Sequence, residues 1–170
     1  MKQCYQFKED NEYYTFKKDV ENFLDNVNIS KDKIIWCPFD TDDSAFVKVL
    51  REREYKVINT HISTGQDFYD YEPKEHYDII LSNPPFKGKA KTIERLIKLN
   101  KPFAMIYGIQ CFNSGGFTRL LNNVNNLEML FLCKRLKFHK GVEDNKVPSP
   151  TFHSMWICND LLGTKIKIID

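Results

Sequence analysis

The 170-residue sequence has no run of about 18 apolar residues, which argues against a membrane-spanning helix. Its start, Met1-Lys2-Gln3-Cys4-Tyr5, lacks the apolar stretch of a signal peptide. Cysteine is sparse and scattered: Cys4, Cys37, Cys111, Cys133 and Cys158 form no Cys-x-x-Cys pair. An odd, dispersed set argues for reduced thiols in a cytoplasm, and against a disulfide framework or zinc site. The four histidines are equally dispersed, so no metal site is expected. Neither sign of charge dominates, with 25 basic and 23 acidic residues. Any contact with nucleic acid must therefore come from local basic clusters. There is no internal repeat and no linker rich in proline, glycine or serine, so the length suits one domain.

What is present is periodic. Phe16, Val20, Phe23, Leu24 and Val27 recur at helical spacing and predict a helix over 16–27. A strand over 33–37 ends at Pro38, and Thr41 or Asp42 can cap a helix carrying Phe46, Val49 and Leu50 to about Arg53. Strands follow at 55–60 and 77–82, then a helix at 89–99, a strand at 102–108 and a helix at 115–124. Residues 127–136, 152–158 and 165–169 read as closing strands. Strands alternating with helices favour an α/β fold with a doubly wound, mostly parallel sheet and a late antiparallel hairpin. Such sheets bind ligands at the carboxyl ends of their strands. Two informative turns, 38–43 and 83–86, follow strands on that edge.

The second turn is a motif. Asp78-Ile79-Ile80-Leu81-Ser82-Asn83-Pro84-Pro85-Phe86 resembles the strand-end signature of class I, S-adenosylmethionine-dependent N6-adenine methyltransferases. Trp36-Cys37-Pro38-Phe39-Asp40, Gly65-Gln66-Asp67-Phe68 and Lys101-Pro102-Phe103-Ala104 resemble the small phage-encoded branch, which implies a host cytoplasm. The resemblance covers roughly residues 12–158. It implies a Rossmann-like domain over 1–170, with an N-terminal helix in 12–30, a core sheet in 31–158 and a C-terminal strand in 159–170. It implies Asn83, Pro84, Pro85 and Phe86 as the catalytic group. An adenine amine is a poor nucleophile because its lone pair is delocalised into the ring. The Asn83 side-chain oxygen and the Pro84 carbonyl can accept its two N–H bonds and favour a tetrahedral nitrogen, while successive prolines hold the backbone extended. Phe86 offers a stacking face, worth ~1–3 kcal/mol per base in single-strand binders.

On the cofactor side the resemblance implies Pro38, Phe39, Asp40, Asp67 and Phe68 as contacts to S-adenosylmethionine. Pro38-Phe39 matches the family loop, but its two glycines are absent; Asp40-Thr41-Asp42-Asp43 stands there instead. Those aspartates either complement a helix dipole or pair with the cofactor's ammonium group. The family's ribose-binding carboxylate after strand two is also absent, since the sequence runs Asn59-Thr60-His61. Asp67-Phe68 matches the adenine-binding pair. Residues 61–76 are too few for the usual helix, strand and helix, so the fold must be trimmed relative to full class I methyltransferases.

Lys87, Lys89, Lys91, Arg95, Lys98 and Lys101 follow the motif, either as a solvated face or as a phosphate-binding ridge. Lys134, Arg135, Lys137, His139, Lys140 and Lys146 form a second cluster. Phe138 falls where the family places a second aromatic for the flipped base, although a core phenylalanine reads the same way. Lys87, Lys89, Phe138 and Lys140 are thus the substrate-side candidates, and nucleic acid with a flipped or unpaired base is the expected partner. Guanine N2 or a protein glutamine presents a similar planar amine. A degenerate, non-catalytic domain binding nucleic acid or a host protein, an accessory subunit, and a homodimer are the other readings.

Overall fold

A computed structural model describes residues 13–139 and 152–170. Its elements in chain order are β1 (Tyr14–Thr15), α1 (Lys17–Asp25), β2 (Ile34–Cys37), α2 (Ala45–Glu52), β3 (Lys56–Asn59), β4 (Ile79–Ser82), α3 (Lys89–Leu99) and β5 (Phe103–Gly108). There follow α4 (Gly115–Leu121), β6 (Leu127–Leu132), β7 (Phe138–His139), β8 (Ser154–Asn159) and β9 (Ile166–Ile169). Among the described residues no helix is long and apolar enough to cross a membrane.

Local chemistry sets the boundaries. α1 buries Val20, Phe23 and Leu24 on one stripe. α2 is capped by Ser44, whose hydroxyl accepts the Val47 N–H at 3.3 Å, beyond the expected Thr41 or Asp42. α3 opens after Gly88, at φ 80°, where a side chain would also press to 3.3 Å of the Tyr69 hydroxyl. It stops at Asn100, φ 50°.

Seven strands form one sheet in the order β3-β2-β4-β5-β8-β6-β9, and β8 alone runs against the rest. β4, β5 and β8 are buried along their whole length, as strands covered on both faces must be. α1 and α2 cover one face, where Phe23 stacks on Trp156 at 4.0 Å between centroids. α3 and α4 cover the other around Ile93, Leu96, Phe117 and Leu121. The architecture is Rossmann-like, mostly parallel, with the expected antiparallel pairing between β6 and β8. The trimming is visible too: between β3 and β4 the chain holds only a 3-10 turn at Ile62–Thr64. The strand order reverses between β2 and β4, so the crevice for a ligand lies at their carboxyl ends.

The C-terminal edge is the expected strand, and its attachment is specific. The carboxylate of Glu128 on β6, 1% exposed, accepts backbone N–H bonds from Leu161 at 2.7 Å, Leu162 at 2.8 Å and Gly163 at 2.9 Å. That latch leads the chain into β9, which pairs parallel with β6. Lys167 Nζ reaches back to the Asn26 carbonyl at 2.5 Å, tying the last strand to the end of α1.

Candidate active site

β2 and β4 deliver Asp40 and Asn83 to the switch point. Asp40 is 6% exposed and accepts a hydrogen bond from Ser82, the residue before Asn83. Its backbone N–H donates to the Thr60 carbonyl at 3.1 Å. Asp40 therefore clamps the ends of β2, β3 and β4 together. Burial pushes its carboxyl up to about 6, against the opposing pull of the Ser82 and Ser44 hydroxyls.

Asn83 is half-buried. Its Nδ2 donates to the Tyr13 carbonyl at 3.2 Å, while Oδ1 is buried with no hydrogen-bond partner among the described residues. An orphaned buried acceptor is costly, so it marks a place where a donor belongs. Pro84 is buried and Pro85 exposed. Phe86 stands among three rings, edge-on to Tyr13 at 5.4 Å, Phe138 at 5.8 Å and Phe152 at 5.5 Å. The two rings expected to flank a base are thus brought together, but Phe138 is only 2% exposed and belongs to the core. Its strand, β7, pairs Phe138 with Thr15 and His139 with Tyr14 of β1.

Further acceptors lie nearby along the chain. Thr15 Oγ1 and Asp19 Oδ2, about one helical turn apart in sequence, are buried without partners among the described residues, and burial raises the Asp19 carboxyl to about 6. On the other side of the motif, Pro38 is buried and Phe39 half-exposed. Phe39 packs on Phe68 at 4.9 Å. Phe68 is 1% exposed, enclosed by Trp36 at 5.5 Å, Phe39 and the Arg95 guanidinium at 5.5 Å. The accessible ring of the pair is therefore Phe39. Asp67 is half-exposed and spends one oxygen on the Tyr69 N–H at 3.1 Å.

No family model and no curated protein sequence matches the chain. Solved structures do. A protein assigned as the modification subunit of a type I restriction enzyme from Vibrio vulnificus YJ016 aligns with 89% of this chain and 45% of its own, at TM-score 0.59 and 12% identity. A dimethyladenosine transferase from Plasmodium falciparum aligns with 87% of this chain and 62% of its own, at TM-score 0.52 and 12% identity. The fold is the one those two proteins share. The chain spans about half to three fifths of their lengths.

Within that fold, Lys87 is exposed and Lys89 half-exposed at the start of α3, just past the motif. Lys140 lies outside the described residues. Among those residues no group of His, Cys, Asp or Glu is arranged to hold a metal. Sequence reading missed Tyr13, Thr15 and Phe152. The aromatic pair Tyr13-Tyr14 before a β-branched Thr15 was the available signal for a short strand.

Proposed function

We propose that the chain transfers a methyl group from S-adenosylmethionine to an exocyclic amine of a nucleobase, adenine N6 first, in DNA or RNA. The observation that carries this reading is the buried Asn83 Oδ1, without a partner among the described residues, just past the end of β4 and three residues before Phe86. It suits a donor amine, and Phe86 suits the face of an extruded base.

The residues present suit the cofactor. Phe39 would offer a ring for its adenine, and the Asp67 oxygen not bonded to the Tyr69 N–H would accept from an adenine amine. Asp40, Asp42 and Asp43 after β2 would be the carboxylates for its ammonium group. When bound, the cofactor supplies an electrophilic methyl carbon on a sulfonium. The amine held by this chain would take that carbon with its lone pair, the C–S bond pair would stay with the cofactor's sulfur, and one proton would be released to solvent. The chain's own work is positioning: Asn83 Oδ1 and the Pro84 carbonyl accept the two N–H bonds and turn the lone pair out of conjugation.

The test is transfer of labelled methyl groups to DNA and RNA by wild type and Asn83→Ala. Loss of one oriented acceptor should cost ~10²–10³-fold, the scale of a lost oxyanion-hole donor. Equal transfer by both would make the motif structural. The glycine-free cofactor loop supports a rival, a non-catalytic binder of nucleic acid or protein. Calorimetric titration with S-adenosylmethionine separates them, because that rival takes up no cofactor with or without oligonucleotide.

A further inference from the structure

A carboxamide has two unlike ends. Oδ1 only accepts, Nδ2 only donates, and a half-turn about one bond exchanges them. A side chain meant to accept from a substrate amine works in one orientation; in the other, N–H faces N–H. The prolines after Asn83 restrain the backbone and leave this torsion free. Something else must set it.

In this fold the Tyr13 carbonyl receives the Asn83 N–H at 3.2 Å. The reversed carboxamide would press two acceptors together there. The carbonyl is itself held on two sides. Tyr14 and Thr15 pair with His139 and Phe138, and the Tyr13 ring meets Phe86 at 5.4 Å. Oδ1 is left buried, with no partner among the described residues, on the opposite end of the group. We infer that the main-chain carbonyl of Tyr13 is a positioning group, which fixes the Asn83 carboxamide with its oxygen toward the incoming amine. The inference rests on the amine-methylating reading and adds what selects a donor-bearing acceptor at that site: a fixed oxygen, whose orientation is supplied by the residue just before β1, 70 positions away in sequence.

A main-chain carbonyl is not removed by substitution, so the test changes its partner. In Asn83→Asp the carboxylate sets an oxygen against the Tyr13 carbonyl and is turned away. Its acid form restores the arrangement, with O–H donating to Tyr13 and the remaining oxygen facing the amine. Burial and the adjacent carbonyl both favour that acid form, so its pKa lies above the ordinary ~4. Transfer by Asn83→Asp, relative to wild type, should therefore rise as pH falls, by roughly tenfold per unit above that pKa. A ratio that stays flat, or rises with pH, overturns the inference. Two readouts need no turnover. The new carboxyl of the Asn83→Asp variant, followed by carbon NMR, should titrate above the ordinary range. In wild type, one Asn83 side-chain N–H should be protected from exchange. An ordinary titration, or free exchange of both protons in the folded protein, overturns the positioning role. If wild type transfers no methyl group while both NMR results hold, only the enzymatic reading falls.

Discussion

Single residues at the carboxyl edge hold chemistry that the sequence suggests only in part. Asp40 was legible as an acid of the cofactor loop; its burial was not, because Ser82 and Thr60, which enclose it, lie far along the chain. Burial raises it from 3.8 to about 6, so the fold favours its neutral form. That preference contributes stability below about pH 4, and the contribution fades as pH rises through about 6. Two units correspond to roughly 3 kcal/mol. Asp19, raised in the same direction, adds to the same window. Asp40→Asn should therefore match wild type in urea midpoint near pH 4 and exceed it at pH 7. If Asp40 serves a cationic cofactor, the same variant binds S-adenosylmethionine more weakly, a separation that urea melts and calorimetry together can check. Phe39 and Phe68 offer a second contrast. Sequence marks both as cofactor contacts, yet only Phe39 has an accessible face. Phe39→Ala should weaken cofactor binding with little loss of stability, whereas Phe68→Ala opens a core cavity costing ~3–5 kcal/mol.

At the scale of elements, the strands and helices of the main sheet were readable because each carries its own periodicity. Ile79–Ser82 and Phe103–Gly108 are buried on both faces and show it as apolar runs, and Lys89–Leu99 shows a 3.6-residue stripe. β1 and β7 were not readable. Two residues have no period, and the pair exists only because segments more than 120 positions apart meet at the site. The expected strand beyond Leu132 likewise ends early, since the chain leaves the sheet to make β7. The β9 latch is another long-range feature. Glu128 holds three successive N–H groups with one buried carboxylate. Glu128→Gln puts an N–H donor where an acceptor is needed and should cost roughly 2–3 kcal/mol. Hydrogen exchange should show β9 opening first, before β4 and β5; uniform loss of protection would mean that β9 is not a separately latched element.

The whole molecule is nearly neutral at +2, so its long-range field is weak and any affinity for nucleic acid must be local. The charges are not evenly disposed. On the α1–α2 side, cations are paired: Lys17 with Glu52 at 2.6 Å, Arg51 with Asp42 at 2.9 Å, Arg53 with Asp25 at 2.7 Å and Lys48 with Asp43 at 3.1 Å. Lys87, Lys89, Lys91 and Lys98, on or beside α3, have no such acid partner among the described residues. Arg95 differs from them. It donates to the Tyr71 carbonyl at 2.9 Å and lies over Phe68, so it works inward. Lys91 and Lys101 rest over Tyr69 and Tyr77, at 4.2 Å and 5.5 Å from the ring centres. Because α3 starts at the mouth of the site, its first lysines are the ones placed to meet phosphates that flank an extruded base. Lys87, Lys89 and Lys91 changed together to Glu should weaken binding and flatten the dependence of log affinity on log salt, by about 0.9 for each duplex phosphate no longer neutralised. Cofactor affinity should not change. Arg95→Gln is the control: it should lower thermal stability and leave the salt slope as it was. A salt series with single-stranded and duplex DNA and RNA checks both variants. If the triple variant keeps the wild-type slope on all four, the ridge is a solvated face and the acceptor is not held through its phosphates.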